Sequence, residues 1–285
     1  MDEINVLMQL CRFDILAITE THLDKKISNQ QIEIENYKIV RRDRNIGTVG
    51  GGCLVYIGNH ICSTRLKSIE TPEIEGIWLK ISVNSSAFIV DTIYRSPSDS
   101  AFFNHFELVL EKVWAKFKNV VIMGDLNCDF ARKERNIVTS TFGRKLQILI
   151  TQFNYTVAND QPTRITSNTS TLIDLVITSR PDLITKTKIL ELGISDHMLV
   201  QATLKTKIKR PPPKIVRARS YRRFNKSMFA KEIEEAPCST FENPEILPDL
   251  PDICNEGENE GEYVIYVMKG KMKKFICMQT IRQSM

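Results

Sequence analysis

The chain has 285 residues, of which 42% are hydrophobic and 26% charged, and its formal net charge is +5. This composition is typical of a globular protein, and no apolar run approaches the roughly 20 residues of a membrane-spanning helix, so we expect no membrane partner. The seven cysteines include no Cys-x-x-Cys pair and are odd in number. That pattern argues against a disulfide framework or a zinc knuckle and favours an intracellular compartment, nucleus or cytoplasm.

The first third of the chain predicts one helix followed by strands. Ile4, Leu7, Met8 and Cys11 recur at helical spacing, and the apolar run 15–19 follows directly as a strand. Further strands are predicted at 37–41, 53–57, 77–83 and 88–94, several of them bounded by Gly, Asn, Pro or Ser.

The next stretch alternates helices with strands. Apolar residues at helical spacing predict helices at 103–117 and 141–153, and apolar runs predict strands at 120–123, 172–178 and 199–208. Some of these strands are apolar throughout and others alternate, which favours two packed mixed sheets with helices on the outside. The predicted fold class is therefore an α/β sandwich of two sheets.

Charge divides the chain into three parts. Residues 1–204 carry equal numbers of acidic and basic side chains, whereas residues 205–226 carry ten basic and no acidic ones and include three consecutive prolines. We predict one domain over 1–204 and an extended basic linker over 205–226 that raises DNA affinity through phosphate contacts. Residues 227–285 carry six basic and eleven acidic side chains, and we predict a largely disordered acidic tail.

Two short sequence motifs, together with Glu20, carry the candidate chemistry. The first motif, Gly124-Asp125-Leu126-Asn127, follows a buried strand, and Glu20 stands at the exit of the strand 15–19. Each has an ordinary alternative: Asp and Asn favour turns, and acids at strand exits are usually solvated. In combination, carboxylates at strand ends are the groups that hold a divalent metal and activate water against a phosphate ester.

The second motif is Ser195-Asp196-His197. The alternative is a cap with a half-buried structural imidazole, whereas the functional interpretation has Asp196 fixing metal or water and His197 donating to a phosphate oxygen. Asp174 interrupts an apolar strand, a placement that is costly unless its carboxylate is paired. His197 is the predicted partner.

Other residues are less specific. Tyr94 closes a strand, where most tyrosines serve packing. Arg41, Arg42 and Arg44 form a local basic patch that suits a phosphodiester backbone, although a solvated strand end explains it equally well.

In chain order, the motifs Ile-Leu-Ala-Ile-Thr-Glu20-Thr-His, Ile93-Tyr94-Arg95-Ser-Pro, Gly-Asp125-Leu-Asn127, Leu-Ile-Asp174-Leu-Val and Ser-Asp196-His197 resemble the endonuclease/exonuclease/phosphatase superfamily. Within it, they are most similar to the apurinic-type endonuclease domain of jockey-like non-LTR retrotransposons. The residues 209–229 also resemble the linker that precedes the polymerase in those elements. We expect no polymerase domain within these 285 residues.

The resemblance implies a two-sheet sandwich with the site at one end, and Mg²⁺-dependent, or Mn²⁺-dependent, hydrolysis of one DNA strand that leaves a 3′-hydroxyl. We infer no obligate protein partner. The implied roles are metal ligation by Glu20 and Asp196, and catalysis or phosphate contact by Asp125, Asn127, Asp174, His197 and Tyr94. Separately from the resemblance, we predict DNA contact by the basic side chains Arg41, Arg42, Arg44 and Arg95.

One departure from the family bears on activity. Family members begin with a strand that carries an Asn near the metal site, and that strand is missing ahead of the first helix here. We therefore expect an uncovered edge on the strand 15–19, ready aggregation and weak nicking. The alternatives to a nicking endonuclease are a phosphatase or phosphodiesterase for a small or lipid substrate and an inactive remnant.

Overall fold

The computed structural model describes residues 2–11, 13–44, 50–83, 86–130, 140–193, 195–205 and 262–269. The helices are α1 (Asp2–Cys11), α2 (Phe102–Trp114) and α3 (Thr141–Gln152), with two short 3₁₀ helices at Asn29–Ile32 and Pro181–Leu183. The strands are β1 (Ile15–Thr19), β2 (Tyr37–Arg42), β3 (Cys53–Gly58), β4 (Cys62–Arg65), β5 (Glu75–Val83), β6 (Ser86–Tyr94), β7 (Val120–Asp125), β8 (Thr156–Val157), β9 (Arg164–Ile165), β10 (Ser170–Thr171), β11 (Asp174–Thr178), β12 (Ile184–Leu190), β13 (Leu199–Lys205) and β14 (Glu262–Lys269).

The strands of the described residues form two six-stranded mixed sheets and one two-stranded ribbon. The first sheet has the order β12-β13-β14-β1-β3-β2, and the second has the order β4-β5-β6-β7-β11-β8. The ribbon joins β9 and β10. In the first sheet β1 runs parallel to β14, and in the second β6 runs parallel to β7, so the carboxyl ends of each pair lie at one edge of their sheet.

Two apolar cores hold these layers. One core lies between the sheets and includes Ala17, Val55, Met123 and Val200. The other packs α2 and α3 against the outer face of the second sheet, with Phe106 and Leu146 fully buried. Alternate residues of a strand point to opposite faces, so the apolar run of β7 serves both cores, with Val120 and Ile122 in the outer core and Val121 and Met123 between the sheets.

The predicted two-sheet α/β sandwich is confirmed, and most predicted elements are present within two residues of their expected bounds. The strand 172–178 begins two residues later than predicted, at Asp174, and α2 ends at Trp114 rather than at 117. In the described parts of the chain, no helix combines the length and the apolar character needed to cross a membrane.

The expectation of an uncovered edge on β1 is wrong. Strand β14 lies alongside β1 in parallel register, Ile15 opposite Ile265 and Thr19 opposite Lys269, and β3 pairs with the other edge. The side chains of residues 263–268 are all buried, and the Val264 amide donates to Asp14 Oδ2 at 2.8 Å. The sheet is closed here by a segment that follows it in the chain by more than 50 residues.

The predicted acidic tail therefore needs correction at residues 262–269. These eight residues form a central strand because Tyr263, Val264, Ile265, Tyr266, Val267 and Met268 supply apolar side chains to both faces of the sheet. The predicted basic linker beyond 205 and the rest of the predicted tail, 227–261 and 270–285, lie outside the described residues.

The substitution Ile265→Ala tests whether β14 is part of the folded core. Ile265 is 2% exposed in the core between the sheets, so its truncation should lower the free energy of unfolding by about 2–5 kcal/mol in urea denaturation. Ile148→Ala on α3 is the matched control, because Ile148 is 70% exposed and should change stability little. Equal stability of the two variants would contradict a docked β14.

Candidate active site

The site lies at the end of the sandwich where several strand termini meet. The carboxyl ends of β1, β6, β7 and β14 and the amino ends of β11 and β13 bring polar residues together there. In the second sheet, Asp125 stands opposite Tyr94 of β6 and opposite Asp174 of β11. The register of the sheet therefore places three of the predicted site residues side by side.

Asp125 is fully buried at the end of β7. Its predecessor, Gly124, is required by the close approach of β6, because a Cβ at that position would lie 1.8 Å from the Ile93 carbonyl oxygen. After Asp125 the chain turns sharply: Asn127 adopts a left-handed φ of 47°, and its amide donates to Asp125 Oδ1 at 2.9 Å. The turn expected of Asp-x-Asn is present, and it fixes the carboxylate in place.

Glu20 follows β1 in a left-handed conformation, with φ of 53°. Such conformations cost free energy in a residue with a side chain and cluster at functional sites. The Tyr94 hydroxyl donates to Glu20 Oε1. Tyr94 thereby fixes the carboxylate of Glu20, an arrangement that the sequence did not predict.

Asp174 and His197 form the predicted pair. His197 Nδ1 donates to Asp174 Oδ2 at 2.9 Å, and both side chains are almost fully buried. The Asp174 backbone is fixed in turn, because its amide donates to Thr163 Oγ1 and its carbonyl accepts from Asn159 Nδ2. The hydrogen bond holds the imidazole with Nε2 turned away from Asp174.

A lysine completes the site. Lys269, the last residue of β14, places Nζ 3.2 Å from Glu20 Oε2, 3.3 Å from Asp125 Oδ2 and 3.5 Å from His197 Nε2. The contact with Asp125 is an ion pair without hydrogen-bond alignment, since Asp125 Oδ2 has no hydrogen-bond partner in the described residues. One ammonium group thus joins the acidic ends of β1 and β7.

Burial and neighbouring charge set the protonation behaviour of these groups. Burial and the nearby Asp174 carboxylate raise the pKa of Asp125 to about 7, against the opposing effect of Lys269 and His197. Burial alone would raise the pKa of Glu20, but the Tyr94 hydrogen bond and Lys269 lower it overall. For His197, burial acts to lower the pKa, and the Asp174 hydrogen bond and charge overcome it, so the pKa is raised.

Two predicted site residues occupy different surroundings from those expected. Asn127 Nδ2 donates to the Arg95 carbonyl at 2.8 Å, so its amide group ties the β6 and β7 exits together. The Asp196 side chain is 59% exposed and pairs with Arg164 at 3.0 Å. Neither lies in the cluster around Lys269.

The predicted DNA-contacting arginines differ most from expectation. Arg41 pairs with Asp43 and donates to the Ile27 and Asp24 carbonyls, Arg42 donates to the Gly76 and Thr71 carbonyls, and Arg44 pairs with Glu75. These guanidinium groups are mostly buried and satisfy loops within the fold. A patch that is basic in sequence is therefore not a free cationic surface here.

Arg95 is likewise structural. It is 0% exposed, and its guanidinium donates to the carbonyls of Leu126, Asn127, Pro97 and Asp99 while stacking on Phe142 at 4.0 Å. Buried arginine serves here to satisfy loop carbonyls, because a buried carbonyl without a donor is costly. This placement leaves no surface for the predicted phosphate contact.

Lys269 is the site residue that the sequence analysis missed. The signal was present as the run Tyr263-Val-Ile-Tyr-Val-Met268, which is strand-like and ends in a lysine. Its acidic, glycine-containing surroundings favoured disorder. Nothing local indicated that the run would pair with β1, almost 250 residues earlier.

Comparison with known proteins finds a family match over the middle of the chain. Residues 88–201 match the family model described as endonuclease–reverse transcriptase. No curated protein sequence matches the chain. The matched range includes Tyr94, Asp125, Asp174 and His197, and it excludes Glu20 and Lys269.

Solved structures show the same fold. The endonuclease domain of TRAS1, a telomere-specific non-LTR retrotransposon, is 14% identical, with a TM-score of 0.54 over 69% of this chain and 88% of that one. The AP endonuclease LMAP from Leishmania major is 12% identical, with a TM-score of 0.55 over 69% of this chain and 80% of that one. The 3′ phosphatase NExo from Neisseria, bound to a product DNA hairpin, is 14% identical, with a TM-score of 0.54 over 70% of this chain and 92% of that one.

These likenesses show the fold. The chain has the fold of the endonuclease/exonuclease/phosphatase superfamily, and the resemblance found in the sequence is confirmed. Within that superfamily, the family match and the TRAS1 domain show its similarity to retrotransposon endonucleases.

The Asp174–His197 pair predicts a measurable titration. Nuclear magnetic resonance should give His197 a pKa above its ordinary 6.5, and Asp174→Asn should lower that pKa because the paired charge is lost. A raised folded-state pKa means that protonated His197 stabilises the fold; this contribution is complete below the unfolded pKa and is lost as pH rises through the folded one. An unchanged His197 titration in Asp174→Asn, with His105 on α2 as the internal reference, would contradict the pairing.

Proposed function

We propose that this protein is a divalent-metal-dependent phosphodiesterase that nicks one strand of DNA and leaves a 3′-hydroxyl. The observation that carries the proposal is the buried Asp174–His197 pair beside Asp125, at the end of the sandwich that also presents Glu20. Together these residues provide carboxylates that can bind a cation or accept a proton, and an imidazole held in a fixed orientation beside them.

The residues present fit a divalent cation. Asp125 Oδ2 and Asp174 Oδ1 are buried carboxylate oxygens without hydrogen-bond partners among the described residues. One oxygen or nitrogen each of Asp125, Asp174 and His197 lie within 4.8 Å of one another. Hard cations such as Mg²⁺ and Mn²⁺ prefer carboxylate oxygens, and Glu20 with Asp125 would hold one here. Its chemistry would be to offset negative charge on the phosphate.

Asp125 would orient and deprotonate the attacking water. Burial and Asp174 raise the pKa of Asp125 to about 7 in the absence of a cation, and a cation beside Oδ2 would lower that pKa and favour the ionised carboxylate that accepts the proton of water. Oδ1 of Asp125 accepts a hydrogen bond from the backbone N–H of Asn127, so the carboxylate has one defined orientation.

His197 would stabilise the charge that develops on the phosphate. With Nδ1 bound to Asp174, the imidazolium has Nε2–H left to donate to a phosphate oxygen. The raised pKa of His197 keeps more of the donor form near neutral pH. Asp174 acts here as the positioning residue, since it holds the ring and its charge.

The choice of DNA as substrate follows from the family rather than from the surface. The matching family model is described as endonuclease–reverse transcriptase, and among the similar structures TRAS1 is an endonuclease domain and NExo is bound to a product DNA hairpin. The arginines 41, 42, 44 and 95 no longer favour DNA over a small phosphate ester, because each is engaged within the fold. Product analysis therefore distinguishes DNA from a small phosphate ester as the substrate.

Conversion of supercoiled to open-circular plasmid over a Mg²⁺ and Mn²⁺ series tests the proposal. Nicking should require the metal, and a DNA polymerase should extend the nick without phosphatase treatment. Asp125→Asn and His197→Ala should each lower the rate by about 10²–10⁴ through loss of the base and of the donor.

The controls are matched in chemistry. Asp182→Asn alters an exposed acid paired with Arg180, and His105→Gln alters a histidine on α2, so both should nick like the unsubstituted protein. Hydrolysis of small phosphate esters without nicking would contradict the DNA assignment. Metal-independent nicking, or equal rates in all four variants, would contradict the site.

A further inference from the structure

The position of Lys269 raises a question that the proposed function leaves open. Its Nζ lies 3.2 Å from Glu20 Oε2 and 3.3 Å from Asp125 Oδ2, in ion-pair contact with both carboxylates proposed to hold a divalent cation. An ammonium group and a divalent cation repel one another and compete for the same oxygens. Both cannot occupy this point together.

The placement of the ammonium is built into the fold. Lys269 pairs in register with Thr19, the residue before Glu20, so the ends of β14 and β1 coincide. The six buried residues 263–268 anchor β14 on both faces, and Thr19 Oγ1 donates to the Met268 carbonyl at 3.4 Å. The lysine side chain is only 16% exposed, which distinguishes it from a mobile surface lysine.

Charge balance explains why the contact is stable. Glu20 and Asp125 are two partly or fully buried acids, and Asp174 adds a third carboxylate beside Asp125. Buried like charges are costly unless a cation lies between them. Among the described residues, Lys269 is the group that supplies this cation to Glu20 and Asp125.

We propose that the carboxyl-terminal strand β14 is an internal competitor of the metal: Lys269 occupies the cation position of the acidic site, and a divalent cation binds only when the ammonium moves away. The inference rests on the proposed function, since it concerns the same carboxylates. It assigns to β14 a regulatory role besides its role in the sheet.

The competition has a predictable size. When a binding-competent state is populated for only a fraction of the time, the apparent affinity falls by that fraction. If Lys269 occupies the position for about nine-tenths of the time, removal of its charge should tighten Mn²⁺ binding about tenfold, and higher occupancy should give a larger effect.

Mn²⁺ binding to the full chain, measured by the electron paramagnetic resonance signal of free Mn²⁺, tests this inference without any substrate. Lys269→Gln keeps a polar side chain of similar reach and should bind Mn²⁺ about tenfold more tightly or better. Mn²⁺ should also raise the thermal unfolding midpoint of Lys269→Gln more than that of the unsubstituted chain.

Two further variants separate occupancy from general effects. Lys269→Arg keeps the positive charge at the end of β14 and should bind Mn²⁺ as weakly as the unsubstituted chain. Lys80→Gln removes an exposed positive charge on β5 and should leave the affinity unchanged, which isolates the effect of net charge. Because Lys269→Arg retains a cation beside Glu20 and Asp125, it also reports whether position 269 tolerates substitution.

The outcomes distinguish this inference from the proposed function. Tighter Mn²⁺ binding by Lys269→Gln alone supports the inference even if no variant nicks DNA. Equal Mn²⁺ affinity in Lys269→Gln, Lys80→Gln and the unsubstituted chain overturns it, even if plasmid is nicked with metal. Weaker binding by Lys269→Gln overturns it as well, because the lysine would then support metal binding.

Discussion

The parallel pairing of β14 with β1 is the contact on which the first sheet and the site both depend. It joins residues 250 positions apart and gives the second edge of β1 a hydrogen-bonded partner strand. On its other side β14 pairs with β13, so a single strand connects the β12–β13 hairpin to the rest of the sheet. Without it, β1 and β13 would each expose a row of unpaired backbone groups and apolar side chains. The site at the end of these strands requires the same closure.

Strand register brings several buried charged side chains together in the site. Asp174 stands opposite Asp125, and the repulsion between these buried carboxylates contributes to the raised pKa of Asp125. His197 takes up part of the negative charge through Asp174, and Lys269 takes up part through Asp125 and Glu20. The arrangement is stable as a network and unbalanced if one member is removed. A site of this kind gains a divalent cation or a phosphate only by exchanging one charge for another, and that exchange links the chemistry to the position of β14.

The local sequence pattern was enough to predict the acidic site residues at the ends of individual β-strands. Glu20 and Asp125 each follow an apolar run, and a carboxylate inside the apolar strand at Asp174 required a partner, which proved to be His197. The roles of the arginines were harder to predict. The sequence around Arg41 or Arg95 does not reveal whether the guanidinium faces solvent or donates to backbone carbonyls within the fold. Strand β14 could not be placed either: its propensity is local, but its partner strands are distant in the chain. Long-range pairing depends on the register of the whole sheet, which a single sequence does not display.

Native-state amide hydrogen exchange tests the central claim directly, because it reports backbone pairing residue by residue. A central strand has neighbours on both sides, so the amides of residues 264–268 should exchange as slowly as those of 15–19 and 200–204. The comparison is internal, since all three segments lie in one sheet. Rapid exchange across 264–268 beside slow exchange across 15–19 would contradict the account: β14 would then not close the sheet, and Lys269 would not be held at the acidic site.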